Sequence, residues 1–168
     1  EQPSQSHFEN KLAMEVDRVS RLGRSVWIED ESRMVGIRHL SNELHAALKA
    51  AHVIAVNVPT EFRLNHLVEI YGEASTQLLA DSFERIKKRA GPENTAAALE
   101  SLEQGDLREA ARVALVYYDK CYDYGLNRRD QSRVHFMEFK TETYTPEALA
   151  PELIQYADDL GLRTTCDD

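Results

Sequence analysis

Carboxylates follow a short apolar run near the start of the chain. The run Ser25–Ile28 predicts a buried strand, and Asp30 and Glu31 lie in the acidic segment after it. Because ligands of open α/β sheets bind at the carboxyl ends of strands, these acids are candidates for holding Mg²⁺ or its water beside a phosphate. Arg33 is a candidate for contacting the phosphate itself. The alternative is a solvated polar loop without chemistry.

An arginine follows the second predicted strand. His52–Val58 is rich in Val and Ile, Pro59 opens a helix, and Arg63 lies one turn into that helix. A guanidinium there can bind an anionic group through two parallel hydrogen bonds, and the alternative is an ordinary surface arginine. The chain contains no GxxxxGK(S/T) loop, so its residues alone do not support nucleotide hydrolysis.

Basic side chains are concentrated in two places. The net charge of −9 argues against a general nucleic-acid binder, because phosphate contacts need a basic surface. An asymmetric charge distribution can nevertheless steer a polyanion such as RNA to one face. The alternative is that cations favour a helix C-terminus and remain solvated. The clusters are Arg85, Lys87, Lys88 and Arg89 at one predicted helix end, and Arg128, Arg129 and Arg133 further along.

Four tyrosines lie within eight residues of one predicted helix, between Tyr117 and Tyr124. Tyr118 and Tyr122 share a face because they are four residues apart. If one face is core, the other exposes rings that can stack on a base or cover a prenyl chain, and these candidates are Tyr117, Tyr118 and Tyr122. The alternative is a set of half-buried tyrosines with hydrated hydroxyls.

The cysteines and histidines predict no metal site. Cys121 and Cys166 lack C-x-x-C spacing, so we expect two free thiols in a reducing compartment, with Cys121 in the core. The six histidines are scattered without ligand spacing, and we interpret them as structural or surface residues.

The elements that position these residues predict a helix-rich α/β fold. Strands separated by helices favour parallel pairing, and 168 residues suffice for one domain. An all-helical insertion spans about 60–128, as in kinase-like proteins, and no segment is apolar enough to cross a bilayer. Strands are predicted at Ser25–Ile28, His52–Val58 and His135–Lys140. Helix starts are predicted near Ser6, Ser41, Pro59 and Ser75, after Asp106 and at Thr145. A further short helix is predicted between Pro92 and about Gln104.

Several short motifs together resemble the P-loop-type domain of tRNA 2-selenouridine synthase, up to about residue 140. The acidic run ending in Ser32-Arg33 and the tyrosine run are fairly specific in combination. The matching segments are Gln2-Pro3-Ser4-Gln5 with Phe8-Glu9-Asn10, Ile28-Glu29-Asp30-Glu31-Ser32-Arg33 with Gly36, Pro59 with Glu61-Phe62-Arg63, Arg85-Ile86-Lys87-Lys88-Arg89, Gly105-Asp106 with Ala110-Ala111, and Tyr117-Tyr118-Asp119-Lys120 with Tyr122.

The resemblance implies a cytoplasmic bacterial enzyme that converts the wobble 2-thiouridine of tRNA to 2-selenouridine. It implies tRNA as partner, selenophosphate and geranyl diphosphate as substrates, and an S-geranylated intermediate. No cofactor is firmly implied, and no membrane contact is expected. The family's full protein has a rhodanese domain with an essential cysteine and a Walker A loop, and neither Cys121 nor Cys166 matches that cysteine.

The same resemblance implies that residues 1–168 form a single, incomplete P-loop kinase-like domain. We expect this fragment to be inactive alone, and unpaired sheet edges to favour a homodimer. The alternative function is a non-catalytic α/β interaction module whose basic clusters are merely solvated.

Overall fold

The computed structural model describes residues 2–23, 25–30, 32–139 and 145–162. Helices make up 66% of these residues, and a short parallel sheet of two strands accompanies them, which confirms the helix-rich α/β class. The elements are α1 (Gln5–Ser20), β1 (Met34–Val35), β2 (Arg38–His39), α2 (Asn42–Ala50), β3 (Val53–Asn57), α3 (Thr60–Tyr71), α4 (Thr76–Ala90), α5 (Pro92–Glu103), α6 (Leu107–Asn127), a 3₁₀ turn (Gln131–Arg133), β4 (Val134–Glu138) and α7 (Pro146–Asp159).

Helix starts follow the predicted capping residues with one exception. The side chains of Ser41, Asp106 and Thr145 each accept a hydrogen bond from the backbone N–H three residues ahead, as predicted. The prediction of Ser6 as the first cap is wrong, since Ser4 caps α1. A capping residue needs extended backbone, which Ser4 has, whereas Ser6 lies inside the first turn.

The chain divides into two compact units. The first comprises Glu1–Val56 and Arg129–Asp168, and the second comprises Asn57–Arg128, the helices that the chain inserts between β3 and β4. In the second unit Leu64 of α3 is fully buried and packs against Ala111 and Leu115 of α6. In the first unit the buried apolar side chains are those of Met137, Phe139 and Ala157. Within the described residues, no helix is long and apolar enough to span a membrane.

The strand predicted at Ser25–Ile28 does not form. The segment has no regular secondary structure, and the side chain of Trp27 is 49% exposed, with Val26 and Ile28 similarly accessible. A strand persists only where its backbone pairs with a neighbour. In the part of the chain that the structure describes, the two sheets are β1–β2 and β3–β4, and neither includes this segment.

A hairpin that the sequence analysis missed follows this segment. β1 and β2 pair antiparallel around Gly36 and Ile37, and Gly36 has φ of 63°, as expected for the first residue of a tight two-residue turn. The side-chain amide of Gln2 holds this turn, because it donates to the Val35 carbonyl (3.2 Å) and accepts from the Ile37 N–H (2.9 Å).

A second glutamine holds the hairpin's other strand in the same way. The Gln5 amide donates to the His39 carbonyl (2.8 Å) and accepts from the His39 N–H (3.1 Å). The Gln2-Pro3-Ser4-Gln5 motif therefore has a local structural purpose, since its two glutamines provide main-chain partners for the hairpin and Ser4 caps α1 between them.

We predict that Gly36→Ala destabilises the protein more than Gly105→Ala. Both glycines have positive φ, at which a Cβ costs about 1 kcal/mol. A Cβ at Gly36 would also lie 2.3 Å from Gln2 Nε2, whereas one at Gly105 meets nothing within 4 Å. Displacing Gln2 adds about 0.5–1 kcal/mol for lost hydrogen bonds. Urea unfolding measures both variants, and equal losses, or a difference that persists when Gln2→Ala is added, would contradict the prediction.

Candidate functional site

Arg63, the predicted phosphate contact of the second unit, is engaged by a carboxylate. Its Nη2 donates to Asp119 Oδ1 at 2.5 Å, and both side chains are partly exposed. The pair joins two sequence motifs, Glu61-Phe62-Arg63 on α3 and Tyr117-Tyr118-Asp119-Lys120 on α6. An anion that binds Arg63 therefore competes with Asp119 for the guanidinium.

The neighbouring Glu61 holds α3 against α6 independently of Arg63. Arg108 donates to the Glu61 carboxylate at 2.5 Å and to Asn65 Oδ1 at 2.7 Å, and Arg112 lies 3.5 Å from Glu61. The hydrogen bond from Arg108 is the main cause that lowers the pKa of Glu61, with Arg112 adding to it. Opening the Arg63–Asp119 pair therefore leaves α3 attached to α6.

Asp30 and Arg129, predicted for different roles, bind each other. Asp30 accepts from Arg129 Nη2 and from Lys49 Nζ (3.3 Å). The Arg129 side chain is 4% exposed, and its Nη1 donates to the carbonyls of Leu48 (3.0 Å) and Lys49 (3.2 Å) at the end of α2. Arg129 thus occupies a structural position below the surface, and Asp30 is neutralised by two cations.

Of the other predicted residues of the strand-end site, Glu31 lies outside the described residues, as does the predicted free thiol of Cys166. Arg33 is exposed beside β1, where it lines a shallow surface pocket with Gln5, Met34 and His39. Across residues 2–23, 25–30, 32–139 and 145–162, no three acidic, histidine or cysteine side chains come together as metal ligands.

The basic run at the end of α4 is fully at the surface. Arg85, Lys87, Lys88 and Arg89 are all exposed, and Lys87 pairs with Glu84 one turn earlier at 3.1 Å. Arg128, at the end of α6, is also exposed; it donates to the Tyr124 hydroxyl at 2.5 Å and lies 5.3 Å from the centroid of that ring.

Tyr117 lies near Cys121 on its own helix and near Arg89 of α4, since both affect its pKa. Cys121 and partial burial raise the pKa of Tyr117, and Arg89 opposes that rise. The Tyr117 ring also makes an edge contact with Tyr118, with centroids 5.0 Å apart. One cation of the basic run and one ring of the tyrosine run are therefore neighbours within the second unit.

Cys121, expected in the core, is exposed. Tyr118, a candidate for an accessible ring, is 44% exposed. The buried stripe is confined to Ala110, Ala111 and Leu115, because α6 has 21 residues whereas α3 and α5 have 12 each. Tyr122, at 58% exposure, continues the same stripe beyond its packing partners.

Sequence reasoning identified the residues of this surface and missed the pairs among them. The sequence did offer one signal for the Arg63–Asp119 pair. An arginine stands in the short motif of α3, and an aspartate stands in the tyrosine motif of α6. Opposite charges in two separate motifs are compatible with an ion pair, although no local spacing predicts one across 56 residues.

We predict that Arg129→Gln lowers the free energy of unfolding by about 2–3 kcal/mol, because it removes a buried charge that serves Asp30 and two carbonyls. The adjacent Arg128→Gln is the matched control, and as an exposed change it should cost no more than about 0.5 kcal/mol. Urea unfolding followed by circular dichroism measures both. Equal stability of the two variants would show that the buried guanidinium is not a structural requirement.

Comparison with known proteins places the chain in a family. The family described as tRNA 2-selenouridine synthase AAA domain matches residues 1–145. The tRNA 2-selenouridine synthase of Psychromonas ingrahamii is 32% identical, over 83% of this chain and 47% of that protein. Those of Shewanella sediminis and Hydrogenovibrio crunogenus are 31% and 28% identical, each over 80% of this chain and 44% of the relative.

The chain thus spans about half the length of the curated relatives that it matches. No solved structure matches it. Since the family match extends over most of the sequence, the chain belongs to the tRNA 2-selenouridine synthase AAA domain family.

Proposed function

We propose that this chain supplies a tRNA-binding surface to a transferase that converts wobble 2-thiouridine of tRNA to 2-selenouridine. Family membership and the names of the relatives support the tRNA selenation role. The reaction uses selenophosphate and geranyl diphosphate and passes through an S-geranylated intermediate, as the family resemblance implies, and it takes place in the cytoplasm. The chain alone is inactive and contributes binding.

The observation that carries the proposal is the presence of exposed cations and accessible aromatic rings within the second unit. Arg89 at the end of α4 lowers the pKa of Tyr117 on α6, against the larger effect of Cys121, so the two helices bring a cation and a ring near each other. Cations that bind phosphates and aromatic rings that stack on unpaired bases are the two components of a surface for looped RNA. A protein with a net charge of −9 gains specificity from confining this combination to one region.

Within this surface the residues have different tasks. Arg85, Lys88 and Arg89 contact the phosphate backbone, and Lys87, already paired with Glu84, adds a weaker contact. Tyr122 and Tyr118 offer accessible rings for a base or a prenyl group. Arg128 and Tyr124 form a second cation–aromatic pair at the end of α6. Arg129 is left out because its guanidinium is buried.

Arg63 and Arg33 are the proposed contacts for free phosphate groups, each in its own unit. Arg63 is the better-placed candidate, since its guanidinium is partly exposed and its ion pair with Asp119 is one that an anion can open. Asp30 has no metal role in this proposal, because Arg129 and Lys49 already neutralise it.

We predict that the chain binds tRNA with a steep salt dependence that Lys88→Glu reduces. Each phosphate contact contributes about 0.7–0.9 to the slope of log affinity against log salt concentration. Lys88→Glu should lower the slope by about 1 and the affinity roughly tenfold at low salt. Fluorescence anisotropy with labelled tRNA measures the affinity at salt concentrations between about 50 and 200 mM, and the slope follows from these values.

Two matched variants test whether the effect is local. Lys11→Glu makes the same charge change on exposed α1, and it should leave the slope unchanged. Tyr122→Ala removes a stacking ring, so it should weaken binding by about 1–3 kcal/mol without altering the slope. If wild-type binding is weak and salt-independent, or if Lys11→Glu matches Lys88→Glu, the chain is a non-catalytic interaction module with solvated cations.

We predict opposite effects of two substitutions on binding of inorganic diphosphate. Arg63→Gln should remove the binding that this arginine provides and leave that of Arg33. Asp119→Asn should strengthen binding several-fold, because it removes the competing carboxylate while Glu61 still holds α3 in place. Isothermal titration calorimetry measures both affinities. Weaker binding by Asp119→Asn would mean that the aspartate orients Arg63 more than it competes.

Association between copies is a separate element of the proposal. Open sheet edges favour pairing of chains into a homodimer, and the side chains of Val26, Trp27 and Ile28 add exposed apolar surface. Analytical ultracentrifugation over about a hundredfold range of protein concentration distinguishes a weak dimer from a monomer.

A further inference from the structure

The ion pair between Arg63 and Asp119 lies beside the exposed part of the tyrosine run. Asp119 and Tyr122 are three residues apart on α6, so their side chains are neighbours on one face of the helix. Tyr122 is 58% exposed, and the Asp119 side chain is 45% exposed. The carboxylate therefore borders a ring that the proposed function offers to an RNA base.

The charge at this border depends on whether the ion pair is closed. Arg63 Nη2 donates to Asp119 Oδ1 at 2.5 Å, so a cation from α3 offsets the carboxylate on α6. Asp123, one turn beyond Asp119, is exposed on the same side of the helix. When Arg63 turns to another anion, Asp119 loses its cation, and the carboxylates of Asp119 and Asp123 then both act on the surroundings of Tyr122.

A phosphate-bearing ligand on Arg63 makes this border strongly negative. The charges of the ligand add to that of the released Asp119 carboxylate. RNA has a phosphate at each nucleotide, so a base stacked on Tyr122 brings phosphates close to these charges. The groups are partly exposed, and water therefore keeps the repulsion moderate. Glu61 and Arg108 still hold α3 on α6, so both ligands can be bound at once.

We infer that the Arg63–Asp119 pair makes the binding of a small phosphate-bearing ligand on α3 and of RNA on α6 mutually antagonistic. By thermodynamic linkage, each ligand lowers the affinity for the other by the same factor. The inference rests on the proposed function and adds a form of regulation to it. RNA binds most tightly when Arg63 is paired with Asp119, and docking of RNA favours release of a phosphate-bearing ligand from Arg63.

A titration with inorganic diphosphate tests the antagonism. Fluorescence anisotropy gives the apparent Kd of the full chain for labelled tRNA at increasing diphosphate and constant ionic strength. The apparent Kd should rise and then level off about fivefold above its starting value, because both ligands bind together with a finite coupling. Direct competition for Arg63 would raise it without limit. That result, or an apparent Kd that stays constant or falls, would overturn the inference.

A pair of variants separates coupling from direct contact. Arg63→Gln leaves Asp119 without its cation, so it should weaken tRNA binding about two- to threefold and make the apparent Kd insensitive to diphosphate. Adding Asp119→Asn should restore the wild-type affinity, because the offending carboxylate is gone. If Arg63 itself contacts tRNA, the double variant stays as weak as Arg63→Gln, and the inference is wrong.

The exposed Arg21–Asp17 pair of α1 provides the matched control. Arg21→Gln makes the same charge change there, and it should alter neither the tRNA affinity nor its response to diphosphate. An effect equal to that of Arg63→Gln would trace the result to net charge alone and contradict the inference. If Arg63→Gln does not fold, the plateau in the wild type still decides between coupling and competition.

Failure of the coupling can be told from failure of the proposed function. A wild-type chain that does not bind tRNA overturns both. Salt-dependent tRNA binding that diphosphate leaves unchanged overturns the coupling alone.

Discussion

The buried guanidinium of Arg129 is the interaction on which the first unit depends. A helix leaves its last carbonyls unpaired, and Arg129 satisfies two of them at the end of α2 while neutralising Asp30. This ion pair joins the two segments of the unit, through residues that are 99 positions apart in the sequence. Because the cation is removed from water, its partners cannot be exchanged for solvent without a large cost. These contacts lie next to the pairing of β3 with β4 in sequence.

The second unit depends on a different principle. Its helices are joined by short turns, its core consists of small and aliphatic side chains, and its ion pairs lie at the surface. Alanines at 98, 110 and 111 allow α5 and α6 to approach closely. α6 then extends beyond its shorter neighbours. The tyrosines beyond the packed region are therefore available for other contacts, and the proposed binding surface is a consequence of unequal helix lengths.

Local signals explain what the sequence could predict. Ser41, Asp106 and Thr145 gave correct helix starts because a cap is recognised within four residues. The types of residue in the candidate surface were predicted for the same reason. Asp30–Arg129 and Arg63–Asp119 were missed because they join distant segments. The pattern at 25–28 indicated a propensity for strand, and propensity does not supply a pairing partner. The prediction that Cys121 lies in the core was wrong, because periodicity does not show where a helix extends beyond the helices that pack against it.

The contact between Gln2 and the hairpin turn has a consequence for how the sequence can vary. Gly36 leaves room for the Gln2 amide, and the amide occupies the space that a Cβ would need. The two positions are therefore one steric unit although 34 residues separate them. A relative that replaces the glycine is expected to have a shorter residue in place of Gln2 and a different main-chain partner for its turn. Substitutions at these positions should be inherited in pairs, so that covariation reveals the hairpin in alignments where neither residue is invariant.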